Sequence, residues 1–170
     1  MQIKTILTLL LLIPSLSWGE NFPKLFTNFS GICVNGLDKL NSIYDLAKEE
    51  EWTVLSKEAK ELVRPMDGGD VDAWGFRDNG TVIMVGIAER KIDGLNYSMC
   101  SMAGNGGFKE NLNSLLNTYD LELIDSQKQG IQISDIYVYS HPTFGEFYIS
   151  VLGSTTDSIK TFTFSAIGIN

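Results

Sequence analysis

Histidine is almost missing from this chain of 170 residues: His141 is the one copy, beside two cysteines and four prolines. A zinc centre draws on several imidazoles or thiolates, so one histidine excludes the usual ligand sets. Nucleophile-and-base catalysis is equally short of parts, because the only candidate base precedes Pro142 in a turn. Ser140 is its sequence neighbour, but adjacent side chains on an extended chain point to opposite sides. No catalytic residue is assigned. Basic charge is also scarce, with 13 Lys and Arg against 21 Asp and Glu and a net charge of −8. That balance argues against nucleic acid and anionic membrane surfaces as partners and leaves a cationic protein as the partner that charge would favour. Beyond the first twenty residues no apolar run is long enough to span a bilayer, so no stable membrane insertion is expected. The chain contains no internal repeat and no low-complexity segment.

What the chain does have begins at its first residue. Lys4 precedes an apolar stretch from Thr5 to Ile13, Pro14 ends it, and Ser17 and Gly19 are the small residues of a cleavage site before Glu20. Met1 to Gly19 therefore reads as a secretory signal peptide, and residues 20–170 as one globular domain. The expected location is the periplasm or the secreted fraction, with a Gram-negative bacterium as the favoured source. In an oxidising compartment two cysteines most often pair, which predicts a Cys33–Cys100 disulfide. Their spacing is not that of a thioredoxin-like redox pair.

Cys33, Leu37, Leu40, Tyr44 and Ala47 recur at three- and four-residue steps, predicting a helix from about Ser30 to Glu51 with Asn28 or Ser30 as its cap. Gly36 weakens it. Ser56 caps a short second helix over Lys57 to Val63, stopped by Pro65, and Asp67 to Asp70 forms a turn. From Val71 the period changes to two. Strands are predicted over Val71–Arg77, Thr81–Ala88 and Leu95–Met102, joined by Asn79-Gly80 and Asp93-Gly94, which suit tight hairpin turns. Val82 to Ala88 is apolar on both faces and is expected at the sheet centre with cover on both sides. A further helix, Phe108 to Tyr119, follows the Gly104 to Gly107 break. The remainder reads as a meander of strands over Leu121–Asp125, Ile131–Ser140, Phe144–Gly153 and Ile159–Ile167, with a bulge near Ser134-Asp135. The fold expected is α+β: an antiparallel sheet of about six to seven strands packed by two main helices and held by one disulfide.

Several constellations resemble sites and are better read as structure. Met84, Met99 and Met102 near Cys100 have the softness Cu(I) prefers, but methionines on a sheet usually fill core gaps. Asp67, Asp70 and Asp72 lack the spacing of a calcium loop. Gly104-Asn105-Gly106-Gly107 lacks the lysine and hydroxyl of a phosphate-binding loop. No metal and no cofactor is expected. Sequons at Asn28, Asn79 and Asn96 matter only in a eukaryotic host. Nothing singles out two carboxylates as a glycosidase pair.

Phe29-x-x-x-Cys33, Ala47, Trp52, Trp74 and Cys100 opening onto a small-residue loop and a helix resemble a group of small exported proteobacterial proteins of unknown function. The resemblance implies a shared two-cysteine scaffold and carries no catalytic residue, cofactor or substrate. The function expected is binding rather than catalysis, as an inhibitor or immunity-type protein for a cationic envelope partner. The alternative is a small-ligand carrier or enzyme with an aromatic pocket between the first helix and the sheet, lined by Tyr44, Trp52, Trp74 and Phe76.

Overall fold

The period-two pattern from residue 71 onward builds most of the molecule. The computed structural model describes residues 23–64, 69–143, 145–154, 156 and 161–169. The expected signal peptide, Met1 to Gly19, lies outside these, as do Pro65, Asp67 and Gly68. Strands β1 (Thr53–Val54), β2 (Asp72–Asp78), β3 (Thr81–Ile92), β4 (Leu95–Asn105), β5 (Leu121–Gln129), β6 (Gln132–His141), β7 (Gly145–Ser154) and β8 (Thr161–Ile169) form one sheet of eight in the order β1-β2-β3-β4-β8-β7-β6-β5. Every pairing is antiparallel. The architecture is thus two four-stranded meanders that meet along β4 and β8. It holds more sheet than the expected six to seven strands, because Thr53–Val54 is too short to show a period in the sequence.

The turns follow their chemistry. Asn79 and Gly80 both have positive φ (47° and 86°), as do Asp93 and Gly94 (51° and 86°), the geometry that matches the twist of the strands they join. Ile83 and Val85 to Ala88 are buried and Met84 is half-buried, whereas Val82 is exposed, and the strand stands third in the sheet. The centre belongs to β4 and β8, because the chain crosses over after β4 and adds four strands beyond it. The irregularity foreseen near Ser134-Asp135 sits on the neighbouring strand instead: β6 pairs with β7 without interruption, and the extra residue is Ile124 of β5, between Leu123 and Asp125.

All the helices but the short one at Lys57–Lys60 gather on one face, called here the helical face. The single first helix expected is two pieces: α1 (Lys24–Asn28) runs into a π-helical stretch, Phe29–Val34, and α2 (Leu40–Glu49) follows a break. Helix starts after Pro23 rather than at Asn28 or Ser30. Ile43 of α2 folds back to within 3.6 Å of the Cβ position of Gly36, and the break lets Leu37 reach β8 beside Gly168. In the wider π-helical turn Phe29, Cys33 and Val34 all point inward and are fully buried. Phe29 meets Phe164 edge to face at 5.5 Å. α4 (Phe108–Thr118) packs Phe108 over Gly153, where a Cβ would collide with the ring. Buried Asn111 links the helices, accepting from Phe26 N at 2.8 Å and donating to Gly107 O at 2.7 Å. The Cys33–Cys100 disulfide, with Cα atoms 5.1 Å apart, ties the π-helical turn to β4. Cys100 points to the helical face, where it faces Ile87 and Ala166 across the ladder.

Candidate functional site

The opposite face of the sheet is clad only at one end. A short segment after β1 crosses it: Ser56 caps α3 (Lys57–Lys60) by accepting from Ala59 N at 3.3 Å, and Val63 drops onto β3. Two glycines make room for this segment. A Cβ on Gly86 would lie 2.8 Å from Val63 Cγ2, and one on Gly75 would lie 3.0 Å from Leu55 Cδ2. Lys60 Nζ donates to Val71 O at 3.0 Å and Thr163 Oγ1 to Leu62 O at 3.0 Å, so the segment is held at both sides.

Past that wall the face is open. The ladder places rows of side chains across neighbouring strands: Ala88, Met99 and Ile167 form one row, and Ala103, Thr163 and Leu152 a second. Between them runs a row of small residues, Gly86, Ser101, Ser165 and Ser150. Val63 covers the Gly86 end of that row, and Ser165 and Ser150 at its other end line a trough. It forms a groove of about 370 Å³, within the size range of small-molecule sites. Its floor spans β3, β4, β8 and β7, and its wall carries Glu61, Leu62 and Arg64. Ser101 and Ser165 satisfy each other at 2.8 Å, which leaves most of the lining apolar.

Among the described residues, Glu61, Arg64 and Arg90 are the charged groups that line the groove. Arg64 Nη1 pairs with Glu61 Oε1 at 2.9 Å, while Arg64 Nε is buried with no hydrogen-bond partner among the described residues. Arg90 donates to Glu89 O at 3.0 Å and to Asp70 O, which fixes its guanidinium at the β3 side of the groove.

The four aromatics expected to line one pocket are paired two and two. Tyr44 meets Trp74 edge to face at 5.2 Å, and Trp52 stacks on Phe76 at 4.4 Å. Among the described residues the four do not share one recess. Trp52 and Phe76 border an open recess with Arg77 and Asp78, and Tyr44 borders another with Asp72 and Glu89. The Tyr44 hydroxyl donates to Asp72, and this bond, together with burial and the carboxylate charges of Asp72 and Glu89, pushes its pKa up to about 12.

Other candidates are dispersed by the fold. Met102 points to the helical face and is fully buried, whereas Met84 and Met99 lie on the open face. Among the described residues no three His, Cys, Asp or Glu side chains converge as metal ligands. His141 Nδ1 accepts from Thr143 N at 3.1 Å and its ring packs on Tyr139, a turn contact. Asn28 donates to Lys24 O and to Asp78 Oδ2, both at 2.9 Å, joining α1 to the end of β2.

The groove escaped the sequence reading. Thr163 and Ser165 read as the watered side of a half-buried strand, and Ser101 and Ser150 attract no attention alone. The available signal was small residues on the same side of consecutive strands, visible only once the register is known. Fold and groove together define an antiparallel sheet protein, helix-clad on one face and bearing a ligand-sized trough on the other. Compared with protein-family models, curated proteins and solved structures, the chain matches none. Among the described residues no helix is long and apolar enough to cross a membrane.

Proposed function

We propose that this chain is an exported binding protein, sent by Met1 to Gly19 to the periplasm or beyond, and that it holds a small amphipathic ligand in the groove on the open face of its sheet. The group of two-cysteine exported proteins it resembles is the scaffold class to which we assign it. The observation that carries the reading is the trough itself: an apolar floor of Ala88, Met99 and Ile167 beside a few hydroxyl and charged groups, the mixture that ligand sites use for affinity and orientation. A buried disulfide between Cys33 and Cys100 agrees with an oxidising location.

Titration with the neutral fluorophore N-phenyl-1-naphthylamine tests it. Saturable binding by the wild type is expected, abolished by Leu152→Glu in the groove and retained by Leu123→Glu on β5; both leucines are about half exposed (46% and 52%), so either change is compatible with folding. No saturable binding, or equal loss in both variants, rejects the reading.

A protein partner of opposite charge is the second reading. It draws on β5, an edge strand exposed over most of its length and carrying Glu122 and Asp125 beside Leu123 and Ile124. An inhibitor or immunity-type contact there would weaken as salt rises.

A further inference from the structure

We infer that the free edge of β5 takes an extended basic segment of a protein partner as a further strand, with Glu122 and Asp125 meeting its alternate Lys or Arg side chains. This names the contact in the second reading above, the partner of opposite charge, and rests on it. The backbone supplies the template. Among the described residues β5 ends the sheet, and eight of its nine residues are exposed. Gln129 pairs with Gln132 across the two-residue turn at Gly130 and Ile131, so that pair exchanges the first ladder bonds. Bonding then alternates back along β5 through Gln127 and Asp125, which turns the N–H and C=O of Ser126 and Lys128 away from β6. A segment laid along them meets donors and acceptors already in strand geometry.

The bulge decides the charge. Leu123 pairs with Tyr137, which is buried on the helical face, so Glu122 lies on the open face. Residues three apart on a regular strand point to opposite faces. Ile124 is the extra residue, however, and beyond it Asp125 pairs with Ile136 and returns to the open face beside Glu122. Two carboxylates thus become neighbours on one face of the edge, and neither is in an ion pair among the described residues. Asp125 accepts from Gln127 Nε2 at 3.2 Å, a neutral donor that leaves its charge uncompensated. Lys128, the one cation of β5, lies on the helical face, the side of Asp135. A segment with Lys or Arg at every second position lines its cations along the open face, against the two carboxylates. A second copy would instead bring another acidic edge in a chain of net charge −8, which disfavours self-pairing.

Fluorescence anisotropy on the full mature chain, with a labelled peptide of Lys-Thr repeated four times, tests the inference. Saturable binding is expected at low salt, weakening about tenfold between about 50 and 300 mM NaCl. The same peptide with all its backbone amides N-methylated keeps every charge and loses its donors; it should bind at least about tenfold more weakly. Ser126→Pro removes an outward N–H and spares the bonds to β6, so it should cost a similar factor. Ser126→Ala, which loses only the hydroxyl bond to Asp135, should bind as the wild type does. Glu122→Gln combined with Asp125→Asn should cost about tenfold and flatten the salt dependence. The methylated peptide works on the wild type and decides the matter if the proline variant does not fold. Equal binding of the methylated and parent peptides, with the salt dependence kept, overturns edge pairing while a partner of opposite charge stands. Binding untouched by the double carboxylate change also overturns the inference. No binding at low salt overturns both. A wild-type dimer in sedimentation that Ser126→Pro dissociates assigns the edge to a second copy and overturns the inference.

Discussion

Thr163 on β8 donates its hydroxyl to the carbonyl of Leu62 at 3.0 Å, joining residues 101 positions apart in the chain. This bond pins the wall of the groove to the strand that forms its floor. Thr163→Val keeps the shape and removes the donor. Because the Leu62 carbonyl is near solvent, the expected loss of stability is small, about 1 kcal/mol. The expected loss of naphthylamine affinity is larger in proportion, since the wall is no longer held. Unchanged affinity would show that the wall is fixed by other contacts.

Gly86 permits the close approach of Val63 on the same face. A methyl there would lie 2.8 Å from Val63 Cγ2 and 2.9 Å from Val71 Cγ2. Gly86→Ala should therefore destabilise by about 1–3 kcal/mol through overpacking. Adding Val63→Ala should return part of it, so that a double-mutant cycle in urea gives a coupling of at least about 0.5 kcal/mol. Additive losses would contradict the contact.

Removing the disulfide acts on stability and spares the groove, because Cys33 and Cys100 lie on the helical face with the sheet between them and the trough. The bridge closes a sequence separation of 67 residues, for which chain-entropy reasoning gives about 4 kcal/mol before native strain is subtracted. The double variant Cys33→Ala/Cys100→Ala should melt about 10 °C lower. Its ligand affinity well below that temperature should match the wild type. A selective loss of binding in a folded variant would tie the disulfide to the site.

Tyr44 makes stability fall at alkaline pH. Folded, its hydroxyl titrates at about 12 rather than 10.0, chiefly because it donates to Asp72. The folded state thus holds more protons than the unfolded state between these values, so the contribution is complete below pH 10 and is lost as pH rises toward 12. The stability gap between wild type and Tyr44→Phe in urea should be widest at pH 8 and should shrink by pH 11. A gap that stays constant would mean that the hydrogen bond is not the cause. Tyr44 is 41% exposed, so solvent screening keeps the effect modest.

Strands were the legible part of this chain. Asn79-Gly80 and Asp93-Gly94 announce their turns locally, and Phe162, Phe164 and Ala166 alternate with Thr and Ser as a half-buried strand must; all three are buried on the helical face. The first helix was legible only as a helix. Its break after Gly36 follows from packing against Ile43 and Gly168, which no local period encodes. The aromatic four came together as two pairs, Tyr44 with Trp74 and Trp52 with Phe76, but whether such rings share one recess depends on the space left between elements. The groove was not legible at all.

Local chemistry settled what each stretch of chain would become. An apolar-polar period of two makes a strand, asparagine or aspartate before glycine turns it, and two cysteines in an oxidising place become a bridge. Tertiary structure decided what those pieces do together. The meeting of β4 with β8 puts Gly86, Ser101, Ser165 and Ser150 in one row, and the lining of the trough is drawn from β3, β4, β8 and β7 together. Register is a non-local property, set by the core on the helical face, so the open face inherits its shape from packing that happens on the other side of the sheet.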